Sequence, residues 1–331
     1  MAEISLPLIP EKLDYTGRIH PANGGEWNKQ LRRNLYAYYP SDSLKEAVNL
    51  AIKLNRPLLL EGEPGCGKSE LARAVFYEFS KQSTNYEWHY RLWNVQSTSK
   101  AQDGFYTYDY IGRLQAAQLA EVQIKDEQYD PAKPENYLEL GPLGYAFDKD
   151  FLNKTKSEKL YRTIVLIDEI DKADTDFPND LLLALEDQCF EIKDLRPRQW
   201  LKANPEAPPI VFITSNQEKE LPNAFLRRCL YHYIEFPNKK DDIKKIIQAR
   251  FKSKRHKLVD KVIERFLELR SEMNDEKEET AKKVSTSELI DWFTVLNGYP
   301  SEKVISKLEN ERYPFASTLL KSRRDKSEYG L

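Results

Sequence analysis

The chain has 331 residues, enough for about two domains. Apolar residues make up 40% of it and charged residues 31%, which excludes a disordered chain and supplies a sizeable core. Its 51 basic and 53 acidic residues nearly cancel, which argues against bulk attraction to nucleic acid.

Residues 1–35 carry Pro7, Pro10, Pro21 and the pair Gly24–Gly25, and read as an irregular arm that opens with no secretory pattern. Ser43 and Glu46 have capping-box spacing, followed by Leu44, Val48, Ala51 and Ile52 on one helical face. After Pro57, the run Leu58–Leu60 predicts a short buried strand, and Leu71, Val75 and Phe79 predict a second helix. Tyr86, Trp88, Tyr90 and Leu92 alternate as a strand does. Three further runs, Thr163–Ile167, Ile210–Thr214 and Tyr231–Phe236, predict strands, and runs apolar on both faces suit parallel strands covered on each side. Strands alternating with helices predict an α/β sheet over residues 36–237. Beyond Pro237 the apolar spacing is helical only, and Ser285 with Glu288 repeats the capping-box spacing before a helix that Asn297–Gly298 ends. Residues 238–312 therefore read as a small all-helical domain and 313–331 as a tail. No apolar run approaches the roughly 18 residues of a membrane span.

Chemistry concentrates in four places. Gly62, Glu63, Pro64, Gly65, Cys66, Gly67, Lys68 and Ser69 fit GxxxxGK[ST] between a strand and a helix that continues with Glu70. Glycines let backbone N–H groups turn around phosphates, and the helix N-terminus adds a favourable dipole. Lys68 would reach the β- and γ-phosphates, and Ser69 would ligate Mg²⁺. The strand Thr163–Ile167 ends in Asp168 and Glu169, one to hold Mg²⁺ and the other to polarise the attacking water. Ser215 and Asn216 follow a third strand, where an amide can orient that water or simply form a turn. Arg227 and Arg228 precede the last strand, as a finger for a neighbour's nucleotide or as a surface pair.

Other signals are weaker. Asn238 to Asp241 matches the guanine-reading NKxD tetrad, but stands where the helical segment begins. Asp168 to Asp171 matches the helicase DExD box, but too little chain follows for a second motor domain. Cys66, Cys189 and Cys229 form no CxxC pair, and the four histidines have no metal-site spacing, as expected of a cytoplasmic protein without zinc.

In this order the motifs resemble the AAA+ ATPases, and within them the MoxR family, over roughly residues 36–312. The motifs are Walker A at 62–69, Walker B at 163–169, sensor 1 at Asn216 and an arginine finger at Arg228, with Arg227 as second choice. Asn49–Leu60, Gly141–Leu143 and Asn179–Leu182 add to the likeness. The resemblance implies a five-stranded parallel sheet, a helical lid and a ring, usually hexameric. It also implies ATP with Mg²⁺ and chaperone-like remodelling with a von Willebrand factor A partner protein. It places a helix-2 insert at 97–150, where Phe105, Tyr106, Tyr108 and Tyr110 grip a substrate or pack as a mini-core, and a hairpin at 188–209. Ser287 stands where the family carries its sensor 2 arginine. A nucleotide-gated assembly scaffold and a DNA-acting motor are the alternatives.

Overall fold

The computed structural model describes residues 13–82, 85–121, 130–148, 160–237, 239–252, 255–276 and 283–329. Leucine and isoleucine runs with no polar face have to be covered on both sides, and they become the sheet's interior. Five strands, β1 (Leu58–Gly62), β2 (Tyr86–Asn94), β3 (Leu160–Asp168), β4 (Ile210–Thr214) and β5 (Leu230–Ile234), form one sheet in the order β5-β1-β4-β3-β2. Parallel register sets Thr214 beside Leu60 and Ile213 beside Ile167, while Asn94 lies beside Asp168. The carboxyl ends of β1, β4, β3 and β2 therefore share one edge, the edge at which open α/β sheets bind ligands.

By contacts the chain divides into two compact units. One collects Met1–Thr16, Asp42–Glu61 and Glu78–His232, and the other Gly17–Ser41, Gly62–Tyr77 and Tyr233–Leu331. This grouping differs from the boundary read in the sequence near residue 237, because distant segments join the helical part. The Gly24 N–H donates to the Ala249 carbonyl at 2.9 Å, and Arg270 pairs with Glu63 at 2.7 Å.

In the first unit, Leu59, Val165, Ile167, Val211 and Ile213 point one way, into a cluster with Leu143, Phe225 and, from α3 (Phe177–Asp187), Phe177 and Leu181. Helix α1 (Asp42–Leu54) starts before Ser43, which therefore sits inside the first turn rather than at the cap. Along β2 the expected alternation holds through Tyr90 and then fails: Leu92 is 38% exposed and Trp93 is buried instead. Trp93 meets the Phe177 ring at 5.2 Å, and Gly104 makes room for it, since a Cβ there would lie 2.2 Å from the indole. The larger side chain takes the core position.

The aromatic cluster of the 97–150 segment divides. Phe105 and Tyr106 are buried, with rings 5.0 and 6.1 Å from Phe190. Tyr108 meets Tyr110 at 4.8 Å, and Tyr110 is exposed with its hydroxyl on Asp194. The strands Tyr106–Tyr108 and Leu138–Leu140 pair here, as do Cys189–Ile192 and Gln199–Lys202 further on, both antiparallel. Residues 122–129 and 149–159 of this region lie outside the described residues.

The second unit contains the helices α4 (Lys240–Arg250), α5 (His256–Glu276), α6 (Thr286–Asn297) and α7 (Ser301–Asn310). The capping box expected at Ser285 and Glu288 is formed, with the Ser285 N–H donating to the Glu288 carboxylate at 3.0 Å. The arm is not wholly irregular, because Glu26–Asn28 pairs antiparallel with Arg33–Leu35. Ile247, Val262, Phe266, Leu289, Trp292 and Phe293 build the helical core. Trp292 is fully buried and its Nε1–H donates to the Pro314 carbonyl at 2.7 Å. Replacing it with alanine opens a cavity and leaves that carbonyl without its donor, so Trp292→Ala should destabilise this unit by about 3–5 kcal/mol. Urea unfolding followed by circular dichroism measures this, and a loss under about 1 kcal/mol would contradict the packing described. Among the described residues no helix is long and apolar enough to cross a membrane.

Candidate functional site

The glycine loop joins β1 to α2 (Lys68–Gln82). Gly65 and Gly67 have φ of +78° and +99°, a backbone conformation that side chains oppose. At Gly65 there is also no space, since a Cβ would lie 2.1 Å from the Ser287 Oγ and 2.3 Å from the Ser285 Oγ. Lys68 is buried, and its ammonium donates to the carbonyls of Gly62 at 2.6 Å and Glu63 at 3.2 Å. Both acceptors are neutral dipoles, so the charge stays uncompensated within a loop built of turned amides. Pro64 and Gly65 are exposed, while Glu63, Cys66 and Ser69 are half-buried. Burial raises the Cys66 thiol above its usual range, and burial also raises the Tyr38 hydroxyl, with Cys66 and Glu70 adding to the effect. Glu70 is held by arginines, accepting from Arg73 at 2.8 Å and Arg33 at 3.2 Å.

The acidic pair stands in the first unit. Asp168 ends β3 and accepts a hydrogen bond from the Thr214 hydroxyl at 2.7 Å. Glu169 follows in the left-handed region, φ +60° and ψ +52°, where a non-glycine residue is strained. Its N–H donates to the Thr214 Oγ1 at 2.8 Å, which holds it there. The turn aims the carboxylate at two donors, the Asn216 amide at 3.2 Å and the Lys172 ammonium. The bond from Lys172 raises that ammonium's pKa. Asn216, expected to position water, is thus brought onto the expected base. Its own N–H donates to the Asp171 carboxylate at 3.0 Å, as does that of Glu218 at 2.8 Å. Asp171 is 2% exposed.

Three residues of this arrangement escaped the sequence reading. Thr214 was seen only as the end of an apolar strand, yet its hydroxyl joins Asp168 to the backbone of Glu169. Asp171 entered only through the helicase-like box, yet it shapes the loop that carries Asn216. Lys172 gave no signal beyond its proximity in the chain. The two arginines are exposed on the short stretch after Asn223–Leu226. Arg228 donates from Nε to Glu186 at 2.7 Å and from Nη1 to the Ala224 carbonyl at 3.2 Å. Asn238, the first residue of the NKxD match, lies outside the described residues.

No group of three His, Cys, Asp or Glu residues among the described residues is placed to hold a metal by itself. Ser69 in the second unit offers a hydroxyl and Asp168 in the first a carboxylate, each a hard oxygen of the kind magnesium takes alongside phosphate.

A family model described as AAA domain (dynein-related subfamily) matches residues 57–229, more than half of the chain. No curated protein matches. The solved structure of PCH-2 from C. elegans is similar at 13% identity, covering 82% of this chain and 71% of that one, with a TM-score of 0.37. The parallel five-stranded sheet with its glycine loop after β1 is the AAA+ P-loop fold expected from the sequence. The chain belongs to the AAA domain family, in its dynein-related subfamily.

Proposed function

We propose that the chain is an ATP-hydrolysing machine of the MoxR type, working as a homo-oligomeric ring. Lys68 and Ser69 bind the phosphates, Asp168 completes the metal site, Glu169 activates water and Asn216 orients it. Magnesium, when bound, offsets phosphate charge. The observation that carries this reading is the contact between Glu169 and Asn216, which sets an amide donor on the carboxylate at the end of β3. The bond is direct, so a water would have to displace it; what supports the reading is that the carboxylate of a base and an amide donor stand at one strand end, where both would contact a water that enters there. Membership of a nucleotide-hydrolysing family supports the reaction class. Ring assembly, remodelling of a protein substrate and a von Willebrand factor A partner rest on the MoxR resemblance.

The exposed Arg228 would act on a neighbouring subunit's nucleotide. In the single chain its guanidinium is engaged by Glu186, and an exposed pair of this kind is weak enough to exchange partners. Phosphate release measured over a range of protein concentrations tests the scheme. Specific activity should rise by about tenfold or more on assembly. A specific activity independent of concentration would exclude a finger supplied in trans. A second reading, a nucleotide-gated scaffold with little turnover, is favoured by Ser287 at the position where the family carries arginine. ATP-dependent oligomers that release no phosphate would establish it.

A further inference from the structure

Within the second unit a buried guanidinium joins the helices to the glycine loop. Arg270 lies on α5 and is 5% exposed. Its Nη2 donates to the Glu63 carboxylate at 2.7 Å, across 207 positions of sequence. The Nη1 donates to the Val284 carbonyl at 2.5 Å, and the guanidinium carbon lies 3.6 Å from the centre of the Phe236 ring. Three segments therefore meet on one side chain: the glycine loop, the residue just before the cap of α6, and the stretch after β5. Nε is buried without a partner.

The cap of α6 touches the same loop. Ser285 and Ser287 lie against Gly65, close enough that a Cβ there would meet both hydroxyls. A carboxylate at position 63 is also electrostatically awkward in a loop that receives a triphosphate, and it needs a neutralising cation. Arg270 supplies that cation with a fork rigid enough to fix the direction of the pair.

We infer that Arg270 is a positioning residue, coupling the state of the glycine loop to the first turn of α6 through its ion pair with Glu63. This rests on the nucleotide reading given above and adds a defined route by which occupancy of the loop reaches the cap of α6. With serine at position 287, the coupling cation comes instead from the second helix of the unit. Binding of a triphosphate shifts the amides of the loop and the charge facing Glu63. The Glu63–Arg270 pair responds, and Val284, held by the other arm of the guanidinium, carries the change into the cap at Ser285.

Hydrogen exchange of the full chain, with and without magnesium and a non-hydrolysable ATP analogue, tests this. Amides at the start of a helix lack intrahelical acceptors and report local ordering directly. In the wild-type chain the analogue should slow exchange at least about threefold both in 63–69 and in 284–289. In Glu63→Gln the loop should remain protected while the response at 284–289 is lost. Glu63 is partly exposed, so the replacement is compatible with folding. Arg270→Lys keeps the charge without the fork and should lose the same distal response while its melting curve stays close to wild type. A response at 284–289 that survives in Glu63→Gln, or one already absent from the wild-type chain while 63–69 is protected, overturns the coupling and leaves the nucleotide reading intact. No protection of 63–69 in the wild-type chain overturns the nucleotide reading itself.

Discussion

Lys68→Ala should lower the affinity for ATP by at least about a hundredfold, a loss near 3 kcal/mol. The ammonium is buried, and its hydrogen bonds go to the carbonyls of Gly62 and Glu63. Among the described residues no carboxylate pairs with it, so its charge is held ready for an anion rather than spent on the fold. A phosphate oxygen exchanges two neutral acceptors for a charged one, and charge-assisted hydrogen bonds are roughly twice as strong as neutral ones. Alanine removes this gain entirely and leaves the glycine turns in place. The fold should survive, because removing an uncompensated buried charge costs a protein little. Titration with a fluorescent ATP analogue measures the loss, and the melting temperature should stay within about 5 °C of the wild-type value. Affinity within threefold of wild type would show that the loop does not use this lysine on a phosphate.

Glu169→Gln separates binding from chemistry. The amide still accepts from Asn216 but has lost the basicity needed to take a proton, and general base catalysis contributes typically 10²–10⁴-fold. Turnover should fall by at least about tenfold, with affinity for ATP unchanged. Lys172 also loses its anionic partner, but both groups are substantially exposed and that pair contributes little to stability. Single-turnover phosphate release together with analogue titration resolves the two effects. Wild-type turnover in this variant would remove Glu169 from the role of base. Asn216 gives an internal check, since its position depends on Asp171, and Asp171 should not affect nucleotide affinity directly.

The parts of the molecule legible in the sequence are those whose physics is local. A run such as Leu58–Leu60 between Pro57 and the glycine loop is too short for a helix and reads as a strand buried on both faces, and it is fully buried. Ser285 and Glu288 are three positions apart, and the cap they form closes within one turn. Local pattern failed where side chains compete for one space. At Leu92 and Trp93 strict alternation chose the leucine, but the indole has more surface to bury and an empty place beside Gly104. Ser43 was two residues too late as a cap, since the helix starts at Asp42 and spacing alone does not fix its first residue.

At the candidate site the same division holds. The glycine pattern and the acidic strand end were readable because each is contiguous and each chemistry needs fixed spacing along one strand–turn connection. Left-handed Glu169 held by the Thr214 hydroxyl, the Asp171 carboxylate gathering the N–H groups of Asn216 and Glu218, and Arg270 reaching Glu63 have no contiguous signal. Each joins positions from 45 to 207 residues apart. Sequence by itself determined the strand, glycine turn and helix around residues 62–69 and the strand that ends in Asp168 and Glu169, because each of these signals is contiguous. Only the tertiary structure decided how those residues are aimed, because orientation depends on hydrogen bonds that form after the sheet and the helical core have brought distant segments into reach.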